Sequence, residues 1–162
     1  MIFDARTALL ITGLLYLLMP LVVWLALREL KQPAVTLWSV GGELFGLGLL
    51  LMSLRGHTPE WVSFETSNLC IYVGNTLRIQ ALRQDLGRPL PWPLFVGICA
   101  ALGIGYEIGR WMPDGSSVHF IWGASVISAQ CIWIAWLARQ LARQDRLATA
   151  KWLGIAYLPL AV

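Results

Sequence analysis

Polar side chains that fall inside apolar stretches are the residues of this chain best placed to do chemistry. Glu43 lies in the apolar run Gly41-Gly-Glu-Leu-Phe-Gly46. A charge at bilayer depth costs several kcal/mol unless it is paired. Counting along an antiparallel pair of helices brings Asn75 and Arg78 to the depth of Glu43, so we predict a Glu43–Arg78 ion pair with Asn75 as a hydrogen-bond partner. Such a group has one of two roles. It binds a proton or a ligand, or it links two helices structurally.

A second polar pattern follows one face of the predicted third helix. Six residues recur there at spacings of four and three: Trp61, Glu65, Asn68, Tyr72, Asn75 and Ile79. Residues at these spacings share one helix face. A polar face on a membrane helix must turn toward protein or water, so we expect it to line a cavity open to the outside at Glu65, or to hydrogen-bond to other helices without a ligand. The predicted ligand-binding or coupling residues are therefore Glu43, Glu65, Asn68, Tyr72, Asn75 and Arg78.

Metal and catalytic motifs are not visible in the sequence. His57 and His119 are weak candidates for a metal or haem site, because neither belongs to a motif with ligand spacing. We expect surface or interfacial histidines, no metal and no other cofactor. The chain has no Walker loop, dinucleotide fingerprint, nucleophile elbow or zincin motif, so it offers no candidate catalytic residue.

The elements that must position these residues are membrane helices. Of the 162 residues, 57% are hydrophobic and 13% are charged, whereas a soluble domain has about 25% charged residues. This composition excludes a soluble globule. The net charge of +3 resides mainly in loops and favours contact with anionic lipid, while nucleic-acid binding has no support.

We predict an all-α, polytopic membrane helical bundle that forms a single domain over residues 1–162. The apolar runs predict five full spans and the start of a sixth: 7–27, 37–54, 61–81, 92–109, 119–138 and 152–162. The last run would reach only about 17 Å as a helix. We therefore expect either that the chain is the N-terminal part of a longer protein or that this run is a re-entrant or surface helix.

The positively charged residues predict the orientation in the membrane. Three fall on one side, Arg6, Arg55 and Arg110, and the remaining nine fall in the opposite loops: Arg28, Lys31, Arg78, Arg83, Arg88, Arg139, Arg143, Arg146 and Lys151. Because basic residues concentrate on the cytoplasmic side, we expect the N-terminus outside and loops 28–36, 82–91 and 139–151 inside.

Small residues predict close helix contacts. A ridge on the fourth span consists of Gly97, Ala101, Gly105 and Gly109, and the second span has Gly42 and Gly46 at the same spacing. This pattern is typical of helix packing in membranes, within one chain or between two copies.

Several segments together resemble a known bacterial family. They are Phe3-Asp-Ala-Arg-Thr7, Leu49-Leu-Leu-Met-Ser-Leu-Arg-Gly56, Pro59-Glu-Trp-Val-Ser63, Asn68-Leu-Cys-Ile-Tyr-Val-Gly74 and Leu82-Arg-Gln-Asp-Leu-Gly-Arg-Pro89. This pattern resembles the N-terminal multi-span membrane sensor region of GGDEF-type diguanylate cyclases, best over residues 3–90. The resemblance implies a multi-pass protein of the bacterial inner membrane, a cytoplasmic cyclase domain in cis that makes cyclic di-GMP, and a homodimer. The catalytic segment itself is absent from these residues.

The expected function is therefore that of a sensory or regulatory input region. A small-molecule signal would shift the packing of helices in the bilayer and so change a cytoplasmic output domain. Two other classes stay open. A non-catalytic accessory subunit would use its glycine ridge as an interface with fixed partners, and a small transporter or channel would use the polar stripe as a pathway.

Overall fold

A computed structural model describes residues 4–110, 112, 115–144 and 148–157. Over these residues the chain is helical and has no strand, which confirms the all-α prediction. The helices are α1 (Ala5–Leu27), α2 (Pro33–Ser53), α3 (Ser67–Asp85), α4 (Trp92–Arg110), α5 (Gly115–Gln144) and α6 (Ala148–Tyr157). A 3₁₀ turn (Arg28–Leu30) follows α1, and a π-helical segment (Val62–Thr66) leads into α3.

Four helical stretches are long and apolar enough to cross a membrane. They are Ala5–Leu27, Pro33–Ser53, Trp92–Gly109 and Ser117–Gln144. The predicted span 61–81 corresponds to the π segment and most of α3, which is not among these four because polar residues interrupt its sequence. Four helices are thus long and apolar enough to span a membrane, and a larger number of spans stays a prediction.

Two predicted boundaries differ in the second half of the chain. The fifth span was expected to end at residue 138, but α5 continues to Gln144. Arg139 and Arg143 therefore lie on the helix and not in a loop, since Leu, Ala, Arg and Gln are all good helix formers. The predicted sixth run overlaps α6, which begins at Ala148, and residues 158–162 lie outside the described residues.

The chain divides into two compact units, residues 1–77 and 78–162. In the first unit, α1 and α2 are in backbone contact. A Cβ atom added to Gly46 would lie 2.8 Å from the carbonyl carbon of Tyr16 and 2.9 Å from the carbonyl oxygen of Gly13. Glycine is required at this position because any side chain would overlap the α1 backbone.

The opposite face of α2 contacts α3 in the same way. A Cβ on Gly48 would lie 2.7 Å from the carbonyl oxygen of Ser67, and a Cβ on Gly74 would lie 2.6 Å from that of Gly41. Because Gly46 and Gly48 are two residues apart, they point to different sides of α2. Helix α2 therefore packs between α1 and α3 within this unit.

Two arginine side chains in the first unit donate hydrogen bonds to backbone carbonyl oxygens at the end of α2 and in the π segment. Arg6 Nε donates to the carbonyl oxygen of Ser53 at 2.7 Å, which satisfies an acceptor at the C-terminus of α2. Arg55 Nε donates to the carbonyl oxygen of Ser63 at 3.4 Å, and its guanidinium lies 4.1 Å from the ring centroid of Phe64. These contacts connect the start of α1 to α2, and the turn after α2 to the π segment.

In the second unit, the predicted glycine ridge of α4 is used only at its C-terminal half. Gly105 is covered by the ring of Trp122, and Gly109 approaches Val118 and His119. A Cβ on Gly97, in contrast, would meet no atom within 4 Å. The small residues therefore bring α4 and α5 together near Gly105 and Gly109.

The end of α3 is closed by two local structures. Gly87 has φ +68°, and the backbone N–H groups of Gly87 and Arg88 donate to the carbonyl oxygens of Gln84 and Arg83. This pairing is a Schellman motif, which requires a left-handed residue after the helix. In addition, the side chain of Gln80 donates to the carbonyl oxygen of Leu90 and accepts from its N–H, both at 2.9 Å. The segment between α3 and α4 is thus attached to α3 at two points.

Candidate functional site

The π segment is a local irregularity at the start of the polar helix. A π turn leaves backbone carbonyl groups poorly paired, and such turns occur frequently at functional sites. Here nearby side chains satisfy these carbonyls. Thr66 Oγ donates to the carbonyl oxygen of Trp61 at 3.1 Å, Ser67 Oγ donates to that of Ser63 at 2.7 Å, and Asn68 Nδ2 donates to that of Phe64 at 2.7 Å.

Helix α3 is rich in polar residues, and many of their side chains are buried. Its buried polar side chains are Ser67, Asn68, Asn75, Thr76, Arg78 and Gln80. Asn75 is 1% exposed and Arg78 is 2% exposed. Since burying polar groups without partners costs free energy, such residues must be satisfied by one another, by backbone or by a bound molecule. This helix is therefore the best candidate for a polar site in the protein.

The predicted stripe on this helix holds only in part. Asn68, Tyr72, Asn75 and Ile79 are buried, whereas Trp61 is 62% exposed. The π segment lies between Trp61 and Asn68, and its wider turn rotates the residues before it relative to those after it. Helix α3 is also buried on more than one face, because Ile71, Leu77 and Leu82 are buried as well.

The structure places five of the six predicted site residues on one continuous stretch. Glu65 lies half-buried in the π segment, and Asn68, Tyr72, Asn75 and Arg78 follow on α3. The first four belong to the first unit and Arg78 to the second. Their role in binding or coupling stays a prediction.

Glu43 lies half-buried on α2, away from the face that contacts α3. Gly74 of α3 approaches the backbone of Gly41 and Phe45. Glu43 is two residues from each of them, and residues two apart on a helix do not share a face. The hydrogen bond between Glu43 and Asn75 stays a prediction. The pairing of Glu43 with Arg78 also stays a prediction, because the two residues belong to different units.

Arg78 has a partner that the sequence did not indicate. Its Nη1 atom donates to the hydroxyl oxygen of Tyr157 at 3.0 Å, so α3 and α6 meet at this bond within the second unit. A contact 79 residues away has no local sequence pattern, and a tyrosine in the short final run was not a candidate. The Gln80–Leu90 pairing was missed for a different reason, since a glutamine inside an apolar helix does not reveal whether it bonds to a side chain or to backbone.

Ser39 is a buried polar residue of α2 that was not among the predicted site residues. Ser39 Oγ on α2 is buried and has no hydrogen-bond partner among the residues that the structure describes. A hydroxyl in this state provides a donor and two acceptor positions for water or a small molecule.

The two histidines have different surroundings. His119 stacks on Tyr106, with ring centroids 4.5 Å apart, and its Nε2 lies 3.1 Å from the carbonyl oxygen of Tyr106. His57 is exposed in the turn that follows α2. Over the described ranges, no group of three or more His, Cys, Asp or Glu side chains is arranged to hold a metal ion.

Comparisons of the chain with protein-family models, with curated proteins and with solved structures gave no match.

Proposed function

We propose that this chain is the membrane-embedded sensory region of a signalling protein. A signal that binds at the polar residues of α3 changes helix packing and thereby the arrangement of a cytoplasmic output domain, a diguanylate cyclase that makes cyclic di-GMP. The observation that carries the proposal is the burial of Asn75, Thr76, Arg78 and Gln80 on a polar helix, in a protein with four helices apolar enough to span a membrane.

The physical argument concerns what buried polar groups do in an apolar protein. Apolar side chains pack in many nearly equivalent ways, whereas hydrogen bonds between buried groups permit few arrangements. A ligand that bonds better to one arrangement than to another shifts the balance between them. A helix that carries buried polar side chains and begins with a π turn has the features expected of an element that responds to a ligand.

The setting of this region is part of the same proposal. We infer that it lies in the bacterial inner membrane with its N-terminus outside, and that two copies pair to bring two output domains together. The orientation is supported by the unequal distribution of basic residues between the loops. The inner membrane, the output and the dimer are supported by the resemblance of residues 3–90 to diguanylate cyclase input regions.

A reporter fusion tests the proposal. The chain is expressed in two fusions, with a diguanylate cyclase domain directly after residue 162 or after one added apolar span, so that the domain is cytoplasmic whether 152–162 is a surface helix or the start of a sixth span. Intracellular cyclic di-GMP is measured at equal membrane abundance. Asn75→Leu removes a buried polar group while keeping a branched side chain with the same number of heavy atoms, and it is expected to change the output severalfold in either direction. Leu69→Ala, on the exposed side of the same helix, is the matched control and should leave the output at its parental value.

One result of the fusion experiment would overturn the proposal. If at least one fusion is active, and if Asn75→Leu, Thr76→Val and the parent all give the same amount of cyclic di-GMP, then the polar residues of α3 do not couple to the output.

A further inference from the structure

A groove in the second unit runs between α5 and α6. Its volume is about 560 Å³, within the range of roughly 300–1,000 Å³ typical of small-molecule sites. Most of its surface is apolar, and two arginines lie at its border. The lining residues are Ile132, Ala135, Trp136, Arg139, Ala142, Arg143, Gly154 and Ile155.

Close packing of the two helices forms the floor of this groove. A Cβ on Gly154 would lie 3.3 Å from the carbonyl oxygen of Ala135, so α6 approaches the α5 backbone at this point. The walls on either side are open, since Ile132, Trp136 and Ile155 are 45–55% exposed. The groove therefore has an apolar wall accessible from the surrounding medium.

The depth of the groove follows from the length of α5. This helix has 30 residues, about 45 Å at 1.5 Å per residue, whereas the hydrocarbon core is about 30 Å thick. The apolar run 119–138 ends two residues after Trp136, and tryptophan favours the headgroup level. Arg139 and Arg143 follow by one and two helical turns, so they lie at phosphate depth while Ile132 lies at acyl depth.

A second, more polar cavity adjoins this arginine pair. It has a volume of about 400 Å³ and shares Arg143 with the apolar groove; its lining residues are Leu86, Arg88, Gln140, Arg143 and Gln144. Guanidinium groups bind phosphate oxygens through paired N–H donors, and glutamine amides can bond to hydroxyl groups. No acidic residue is among the described residues that line either cavity.

We propose that these two cavities form one binding site for an anionic phospholipid. The phosphate lies on Arg139 and Arg143, the polar headgroup lies near Gln140, and an acyl chain follows Ile132 and Trp136. The charge of the arginines selects an anionic lipid over a zwitterionic one, and the apolar groove selects a lipid over a free phosphate. This site is separate from the polar residues of α3 and does not depend on the proposed sensory function.

Lipid titration of the purified protein tests this site. The protein in neutral detergent is titrated with phosphatidylglycerol, and binding is followed by native mass spectrometry and by the unfolding temperature. We expect the parent to bind phosphatidylglycerol and to gain thermal stability. The double variant Arg139→Gln/Arg143→Gln should bind roughly 30-fold more weakly, because each arginine near an anionic lipid contributes about fivefold. The control Arg28→Gln/Lys31→Gln removes the same charge from exposed positions in the first unit and should bind like the parent.

Three outcomes would overturn the proposal. They are equal binding of phosphatidylcholine by the parent, undiminished binding of phosphatidylglycerol by the Arg139/Arg143 variant, and stabilisation by glycerol 3-phosphate alone, which would indicate a phosphate site without a lipid. If the double variant has a lower unfolding temperature without lipid, Trp136→Ala replaces it, since loss of the acyl contact should also weaken binding.

Discussion

At the scale of single residues, Gln80 makes a polar contact through two hydrogen bonds to one residue. Its amide group pairs with both backbone groups of Leu90, like one rung of a β-ladder, and both residues are buried. A side-chain amide is one of the few groups that can donate and accept toward the same residue. Leu90 lies between two prolines and is not part of a helix or strand. The Gln80 side chain therefore provides the hydrogen bonds that regular secondary structure would otherwise give to the Leu90 backbone.

Replacement of Gln80 should measure the value of this pairing. We expect Gln80→Ala to lower the free energy of unfolding by about 2 kcal/mol, because it leaves a buried N–H and a buried carbonyl of Leu90 without a partner. Gln80→Glu should be at least as damaging, since a carboxylate cannot donate to the carbonyl oxygen. The measurement is denaturant or thermal unfolding of the purified protein in detergent.

Gln84, one turn further along α3, provides the control. Its backbone carbonyl accepts from Gly87, and this bond does not involve the side chain. Gln84→Ala should therefore stay within about 0.5 kcal/mol of the parent. A loss for Gln84→Ala equal to that of Gln80→Ala would contradict this account of Leu90.

At the scale of elements, glycines determine how closely the helices approach. Gly46 contacts the α1 backbone, while Gly97 faces open space. Both occur in small-residue patterns that look alike in the sequence. Such a pattern shows that close packing is possible, but which glycines are used depends on the register of the partner helix. That register is a long-range property that helix periodicity does not contain.

The same substitution at these two positions is expected to have opposite effects. Gly46→Ala places a methyl group against backbone atoms that cannot rotate away, so it should destabilise the protein by about 1–3 kcal/mol. Gly97→Ala meets no atom and improves helix propensity, so it should stabilise the protein by up to about 1 kcal/mol. Thermal unfolding of both variants in the same detergent tests this, and equal shifts of the same sign would be inconsistent with the packing described here.

The helices themselves were largely predictable from composition, whereas the polar contacts were not. The runs beginning near Thr7 and at Trp92 correspond closely to α1 and α4, because long apolar segments leave few alternatives. The π segment was not predicted, since a one-residue insertion in a helix has no composition of its own. The Arg78–Tyr157 bond depends on how α6 packs on α3, and the groove depends on how α6 packs on α5. No local pattern specifies either.

At the scale of the whole molecule, the basic residues predict which ends of the helices face the cytoplasm. Single cysteines can test this orientation in cells. His57→Cys, in the exposed turn after α2, should react with a membrane-impermeant maleimide added outside. Arg88→Cys, exposed after α3, should react only after the membrane is permeabilised.

The parent protein, which contains Cys70, Cys99 and Cys131, provides the background of this labelling. The reverse pattern, with Arg88→Cys labelled first, would place the N-terminus inside. The phospholipid site would then belong to the outer leaflet, and the cyclase output would no longer be possible at that end of α5.

The packing of α1 on α2 also bears on how the protein is made. Helix α1 has only Gly13 and Pro20 buried, and its main partner is α2, the next helix in the sequence. A ribosome adds about 5–20 residues per second, so synthesis of the residues after Ser53 takes several seconds. This helical hairpin can therefore insert and close in the bilayer while the rest of the chain is still being made, and it would offer α3 a preformed surface as that helix emerges.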